Sequence, residues 1–368
     1  MTARVVATIA LATGAMAMTA ALTSAAARAE SIETTPALAK VIDTAKQEGT
    51  VTIRWTNLML GGPDGAALAE DGINRMFGIH IKVQWTPGPA FGPMAAILYQ
   101  EKQAGEKASS DVYTATPNQL SPYLDKDLFR KVDWAGFWPT RVTPAMVEGE
   151  GRALRYTDVY PGIFYNVKAA SWVSEITVAA DLLKPQYKGK FYTTPFLAGF
   201  DVLIAKDQWG VEKTTEFVKQ MSPQLASIAG CESIDRVASG EIPALAIDCS
   251  GASPNRLVYR GKNILANHII SDMAERRPTY FAIPLHAPHP NAAILYTLYL
   301  VSHEGQERVV WDNFGGDLEA FPDSHARQIA AALPAKGVNF TDVSIAWWRA
   351  HPGIDQDNQK LAKLLRER

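Results

Sequence analysis

Hydrophobic positions along the first part of the chain alternate between helical and strand spacing. In "ETTPALAKVIDTAKQEG", four apolar residues from Leu38 to Ala45 recur at helical spacing, and Gly49 ends the pattern. The next segment, "TVTIRWTNLML", has the pattern of a strand and leads into "GGPDG", which predicts a turn. A helix end, another turn and a second strand at Ile79–Trp85 are predicted to follow.

The alternation continues through the middle of the chain. "GPMAAILYQEKQAG" predicts a helix, and "SSDVYTATPNQL" predicts a short strand that opens into a Thr/Pro loop. "RALRYTDVYPGIFYNVKAA" is strand-like and is broken by Pro161-Gly162, and "YKGKFYTTPFLAGFDVLIAKDQWG" predicts a strand, a loop and a helix. "ESIDRVASGEIPALAIDCSG" predicts a helix and a strand at Ala244–Ile247, and the chain is mostly helical from Asn291 onwards. Helices that alternate with strands indicate parallel βα units and an α/β fold.

The composition is that of a soluble globular protein. Of the 368 residues, 47% are hydrophobic and 20% are charged, which is enough chain for two domains or one large domain. Without the first 29 residues, 34 Lys and Arg face 38 Asp and Glu, a mild negative balance that lacks the basic stripe of a nucleic-acid binder. The closing "KLAKLLRER" is interpreted as a solvated helix rather than a nucleic-acid-binding tail.

The first 29 residues have the features of a cleavable export signal. Arg4 precedes an uncharged stretch, and Ala27-Arg28-Ala29 gives the small-x-small pattern that signal peptidase accepts, so cleavage is expected after Ala29. A membrane anchor is the alternative, but the stretch is rich in Ala and Thr rather than in Leu and Ile. We therefore expect a periplasmic protein that is free of the membrane.

Cys231 and Cys249 are the two cysteines of the chain. An even number of cysteines in an exported protein favours a disulfide, although two buried thiols are the alternative.

Known catalytic motifs are absent from the sequence. It contains no G-x-S-x-G elbow, no P-loop, no G-x-G-x-x-G after a strand and no C-x-x-C. We therefore expect a protein that is not an enzyme and needs no cofactor.

Three of the seven histidines lie in "HAPHPNAAILYTLYLVSHEGQ" (residues 286–306), which raises the question of a metal site. Pro290 suits the first turn of a helix, and a continuous helix would hold His289 and His303 roughly 21 Å apart. Two ligands of one zinc ion must lie within about 4 Å of each other. His286 and His289 alone would lack a third ligand, so no metal site is predicted.

The same stretch resembles a motif of extracellular solute-binding proteins of ABC importers, in the ferric-iron-binding branch. In that family a Pro-Asn-Ala-Ala helix leads into Ser-x-Glu-Gly-Gln, matched here by Ser302, Glu304, Gly305 and Gln306. Five other stretches are similar and occur in the family's order: "LAKVIDTAKQEGTVTI", "SSDVYTATPNQL", "GIFYNVKA", "YKGKFYTTP" and "RVASGEIPALAI". Together they cover most of residues 37–310.

The resemblance implies a two-lobed periplasmic-binding-protein type II fold. Each lobe would be a mostly parallel sheet flanked by helices, and crossing strands would form a hinge that closes on ligand. On this basis we expect residues 30–155 and 256–300 to form lobe 1 and residues 156–255 to form lobe 2. Residues 301–368 would form C-terminal helices that pack on the lobes.

Ligands of doubly wound sheets bind beyond the carboxyl ends of the strands. Four polar loops of this sequence follow predicted strands, and each has a capping or turn role as its alternative. The candidate ligand residues are Trp55, Thr56, Asn57, Thr114, Ala115, Thr116, Thr193, Thr194, Phe196, Asp248 and Ser250.

The family's ferric-binding members carry a Tyr pair after the strand that here is predicted to end at Ile247. This chain has "DCSGASPNRLVY" at that place, so its departure from the family pattern argues against iron. Phe196 and Trp55 favour an organic solute with some apolar surface, and Asp248 favours an amine or hydroxyl group on it.

The resemblance thus predicts a monomeric periplasmic receptor that delivers a small polar organic solute to an ABC permease in the inner membrane. A receptor that presents its ligand to a membrane sensor kinase is the first alternative. Ferric-iron binding and a secreted hydrolase are further, less supported alternatives.

Overall fold

A computed structural model describes residues 32–56, 59–196, 198–249, 251, 259, 261–311 and 316–367, and the predicted signal segment lies outside these residues. The described helices are α1 (Pro36–Glu48), α2 (Gly62–Phe77), α3 (Phe91–Gln103), α4 (Pro117–Leu124), α5 (Trp134–Phe137), α6 (Phe200–Ile204), α7 (Gly210–Met221), α8 (Ile234–Ala238), α9 (Pro290–Leu300), α10 (His303–Gly305), α11 (His325–Ala332), α12 (Ile345–Ala350) and α13 (Ile354–Arg366). The described strands are β1 (Thr50–Trp55), β2 (Lys82–Pro87), β3 (Tyr113–Ala115), β4 (Val147–Glu148), β5 (Ala153–Val159), β6 (Ile163–Asn166), β7 (Tyr192–Thr193), β8 (Ser227–Ile228), β9 (Ala244–Leu245), β10 (Leu265–His268), β11 (Glu275–Ala282) and β12 (Thr341–Asp342).

The first lobe is built on β1, β2, β3, β5 and β11. β1 pairs in parallel with β2, and Ile53 forms a parallel bridge to Val112 just before β3. β11 runs antiparallel to both β3 and β5. The main core of the first lobe packs α1, α2 and α9 against the sheet and contains Ile53, Phe281 and Leu295.

The second lobe has a five-stranded sheet in the order β10-β6-β9-β7-β8. β7 pairs in parallel with β8 and β9, whereas β6 is antiparallel to β9 and β10. Both lobes thus combine parallel pairs with antiparallel strands that arrive from the other lobe. This arrangement is the predicted two-lobed α/β fold with a hinge of crossing strands.

The chain passes between the two cores at three places. It crosses from β5 to β6 around Tyr160, returns from β10 to β11, and crosses again after β12, where α12 packs on α4 and α13 packs on α6 and α7. β10 is in the part of the chain that we assigned to lobe 1, yet it pairs with β6 in the second sheet. The exact lobe boundaries stay a prediction.

Local sequence signals account for the helix ends. Thr35 caps α1 through its side chain, Pro36 occupies the first turn, and Gly49 ends the helix in the left-handed region with φ of 68°. The predicted turn at "GGPDG" is different, because α2 already begins at Gly62 with Pro63 in its first turn. A proline that suits a turn also suits the start of a helix, so the pattern fits both.

The Ser-x-Glu-Gly-Gln stretch has a structural explanation at three of its four fixed positions, Ser302, Gly305 and Gln306. Ser302 caps α10 by accepting a hydrogen bond from the Gly305 amide at 2.9 Å, as predicted. A Cβ on Gly305 would lie 1.9 Å from the Tyr299 carbonyl oxygen, so no larger residue fits. Gln306 is fully buried and bonds to three backbone groups: the carbonyls of Tyr156 and Leu300, and the amide of Leu318. The motif therefore joins helices to the core.

Among the described residues, no helix combines the length and the apolar composition needed to cross a membrane.

Candidate functional site

A cavity of about 1150 Å³ lies between the two lobes. Its walls come from the ends of β1 and β3, from β5 and β11 at the hinge, from the loops after β7 and β9, and from α13. In open α/β sheets the loops at the carboxyl ends of the strands meet at one edge and leave a crevice. The size and position of this cavity suit a small organic molecule.

Six of the predicted ligand residues line the cavity. They are Trp55, Thr56, Thr114, Thr116, Phe196 and Asp248. The structure thus brings residues of all four predicted loops, from both lobes, to one space. Their contact with a solute stays a prediction.

Three predicted residues, Ala115, Thr193 and Thr194, lie behind the cavity wall. They are buried, and none of them lines the cavity. Consecutive residues of a strand point to opposite faces, so Ala115 faces the core while its two neighbours reach the cavity. The Thr194 hydroxyl donates to the Ile247 carbonyl at 3.4 Å. Two further predicted residues lie outside the described part of the chain: Asn57 and Ser250.

Arg277 on β11 binds two carboxylates at the hinge. Its guanidinium donates to Glu275 at 3.0 and 2.9 Å, and it also donates to Asp201 in the first turn of α6. Burial raises the pKa of Glu275 to about 7, against the opposing effect of Arg277. Within the described chain, Oδ1 of Asp201 has no hydrogen-bond partner. This cluster links the two lobes and leaves an acceptor atom on a residue of the cavity wall.

Cys231 and Cys249 form the predicted disulfide, and both cysteines line the cavity. Their Cα atoms lie 5.8 Å apart, within the range of protein disulfides. The bond joins the segment before α8 to the loop after β9. It therefore fixes the loop that carries Asp248, whose carboxylate accepts a hydrogen bond from the Gly251 amide at 2.8 Å.

α13 forms a wall of the cavity that the sequence analysis missed. Ile354, Leu361 and Leu365 are buried against the second lobe, and the polar face of the same helix turns to the cavity. The interpretation of "KLAKLLRER" as a solvated helix therefore misses half of its role. The apolar spacing of Leu361 and Leu365 was the available signal, because it predicts a helix that docks on one side.

The tyrosines of the cavity wall are poor ligands for ferric iron. Tyr113 and Tyr156 are buried; the hydroxyl of Tyr113 donates to the Phe91 carbonyl at 3.0 Å, and that of Tyr156 pairs with Thr114 at 2.9 Å. Burial raises the pKa of both phenols, which disfavours the phenolate form that binds iron. The loop after β9 carries Asp248 in place of a Tyr pair.

The histidines of residues 286–306 interact with separate partners. His289 precedes α9, and its Nδ1 lies 2.9 Å from Asp111, whereas His303 is in α10. Among the described residues, His303, Glu307 and Asp323 form the one group whose ligand atoms all lie within 4.8 Å of one another. Nε2 of His303 is 2.9 Å from Asp323 and Nδ1 is 3.7 Å from Glu307, so contacts between these side chains account for the group.

No family model and no curated protein matches the sequence. Solved structures do match the fold. PotD from Streptococcus pneumoniae, a spermidine/putrescine ABC transporter substrate-binding protein, has a TM-score of 0.62 at 14% identity and covers 86% of this chain and 99% of that chain. Iron-bound HitA from Pseudomonas aeruginosa has a TM-score of 0.61 at 16% identity, over 86% of this chain and 99% of that one.

AgtB from A. tumefaciens R10, in complex with agropinic acid, has a TM-score of 0.60 at 15% identity, over 87% of this chain and 99% of that chain. All three are binding proteins rather than enzymes. The similarity extends over both lobes, as the resemblance in the sequence predicted. This chain therefore has the two-lobed fold of the periplasmic substrate-binding proteins.

Proposed function

We propose that this protein is the periplasmic substrate-binding component of an ABC importer. It captures a small polar organic solute in the cavity between its lobes and delivers it to a permease in the inner membrane, and it catalyses no reaction. The observation that carries the proposal is the cavity itself, which residues of both lobes and α13 line together. A monomer exported by the N-terminal signal and cleaved after Ala29 is part of the same proposal.

The cavity wall supports a solute that is polar in part and apolar in part. Thr56, Thr114 and Thr116 bring hydroxyl groups to the wall. Phe196 adds an exposed aromatic surface. A few placed polar groups among apolar side chains are typical of small-molecule sites.

The proposal is tested by the thermal unfolding of the mature protein with a panel of amino acids, polyamines, phosphonates, sugar phosphates and aromatic acids. A solute at about 100 times its dissociation constant stabilises the protein by about 2.7 kcal/mol. Recovery of that solute unchanged after incubation, and its uptake by vesicles that contain the permease, complete the test. Absence of binding across the panel, or conversion of the solute, contradicts the proposal.

A further inference from the structure

Three carboxylates of the cavity wall have hydrogen-bond partners within the protein. The pairs are Asp201 with Arg277, Asp248 with the Gly251 amide, and Asp355 with the side-chain amides of Asn118 and Gln359. Glu232 is the remaining acidic residue of the wall, and it is exposed. Three of the four carboxylates of the wall are thus bonded to other groups of the protein.

Two arginines of the wall, Arg54 and Arg366, donate hydrogen bonds to neutral groups of the protein. The Arg54 guanidinium donates to the Ser109 hydroxyl at 3.0 Å, and Arg366 donates to the Pro195 carbonyl at 3.3 Å. Within the described part of the chain, neither arginine forms an ion pair with a carboxylate. Lys363 lies one turn before Arg366 on the same wall. Its ammonium group is 3.7 Å from the carboxylate of Glu367, and Glu367 does not line the cavity. Arg54 and Arg366 therefore bring positive charge to the cavity that no carboxylate of the described residues pairs with.

The second arginine lies beside an exposed aromatic ring. Its acceptor, the Pro195 carbonyl, belongs to the residue before Phe196, which is 63% exposed and lines the cavity. Exposing a large apolar side chain to water is unfavourable, so a bound solute that covers the Phe196 ring is favoured. On the other lobe, Arg54 is likewise followed by an aromatic residue of the wall, Trp55. Each lobe thus has an arginine next to an aromatic residue of the wall, and of the two rings only that of Phe196 is exposed.

We infer that the solute is an organic anion, whose acidic group is bound by Arg54 and Arg366 and whose apolar body packs on Phe196. This inference rests on the proposed function. Guanidinium groups bind carboxylates and phosphonates through paired hydrogen bonds, so both acids share the required chemistry. A purely cationic solute would be repelled by both guanidinium groups.

The charge of the solute is tested with matched compounds and the mature protein. Phenylacetate and indole-3-acetate are each compared with the primary amide and the amine of the same skeleton, and phenylphosphonate forms a separate arm. We expect the acids to raise the unfolding temperature and the amides and amines to have little effect. Equal or larger shifts in unfolding temperature with the amides or amines would overturn the inference but not the proposed function. No shift with any compound contradicts the proposed function and the inference with it.

Variants locate the anion site. We expect Arg366→Gln and Arg54→Gln each to weaken the binding of the best acid about ten-fold by calorimetry, because each removes a charge-assisted hydrogen bond. Phe196→Ala should weaken it by a similar factor through the lost apolar contact. Arg327→Gln is the matched control, since Arg327 is exposed on α11 and does not line the cavity.

Salt separates charge from general packing effects. Binding of the acid by the native protein should weaken as sodium chloride is raised, and Arg366→Gln should reduce that dependence. Urea unfolding of each variant confirms that it is folded. Unchanged affinity and salt dependence in both arginine variants would exclude the proposed anion site.

Discussion

At the scale of single residues, the buried cluster of Arg277, Glu275 and Asp201 governs how stability responds to pH. The cluster links β11 to α6, and no side chain in it is more than slightly exposed. A carboxyl group at such a site titrates differently in the folded and unfolded states. The folded protein then binds a proton in a pH range in which the unfolded chain has lost it.

Glu275→Gln should remove part of this pH dependence. The pKa of Glu275 rises from 4.5 to about 7 on folding, so the protonated group favours the folded state at low pH, and this contribution is lost as pH rises through about 7. We expect the difference between native protein and variant in the free energy of unfolding to change steadily from about pH 5 to about pH 8. Urea unfolding across this range measures it, with Glu216→Gln on the exposed face of α7 as control. Parallel curves for native protein and Glu275→Gln would contradict the assignment.

Sequence reasoning located the polar loops better than their individual side chains. Thr114 and Thr116 line the cavity while Ala115 between them is buried, which strand alternation explains once the strand is placed. Thr193 and Thr194 are both buried, because Thr193 pairs with β8 within the sheet and the Thr194 hydroxyl bonds to the Ile247 carbonyl after β9. Which side of a loop faces a cleft depends on contacts distant in sequence, and no local pattern contains them.

At the scale of elements, Gln306 connects the C-terminal helices to the first lobe. Its side-chain amide bonds at 3.0, 2.7 and 2.8 Å to backbone groups of β5, α9 and the segment after α10. Gln306→Ala leaves these buried groups unpaired, and each costs about 1–3 kcal/mol. We expect a loss of about 3 kcal/mol or more in the free energy of unfolding by urea. Gln328→Ala, at an exposed position of α11, serves as control; equal effects of the two changes would refute this role.

The disulfide between Cys231 and Cys249 closes a short loop in the second lobe. The cysteines are 18 positions apart, and closing a loop of this length stabilises the folded state by about 3 kcal/mol in the chain-entropy model. The double variant Cys231→Ser/Cys249→Ser should lose about this free energy of unfolding. Reducing agent should lower the stability of the native protein and leave the double variant unchanged. Insensitivity of the native protein to reduction would show that the bond does not form.

Elements with clear end signals were predictable from sequence. Gly49 ends α1 in the left-handed region, Pro290 occupies the first turn of α9, and the Ser302 side chain caps α10. Each of these backbone positions favours the residue type that occupies it. The loop predicted after β3 is instead the start of α4, with Pro117 in its first turn. Proline fixes only one backbone angle, so tertiary packing chooses between a turn and a helix start.

At the scale of the whole molecule, the order of motifs predicted the fold, whereas the place of α13 required the structure. The order of the motifs follows the order of helices and strands along the chain. Local hydrophobic and turn patterns largely specify that order. The docking of α13 on α6 and α7 depends on a surface that forms only when the second lobe has folded. The sequence alone therefore could not predict that α13 forms a wall of the cavity.

The three crossings of the chain allow the lobes to move about β5, β11 and the segment after β12. Asn118 on α4 and Asp355 on α13, which both line the cavity, are joined by a hydrogen bond of 3.3 Å. We expect a solute that stabilises the protein to draw the lobes together, because contacts to both walls favour the closed arrangement. Small-angle X-ray scattering of the mature protein should then show a smaller radius of gyration at saturating solute. A matched amide that does not bind should leave the radius unchanged, and an unchanged radius with bound solute would mean that the cavity fills without hinge closure.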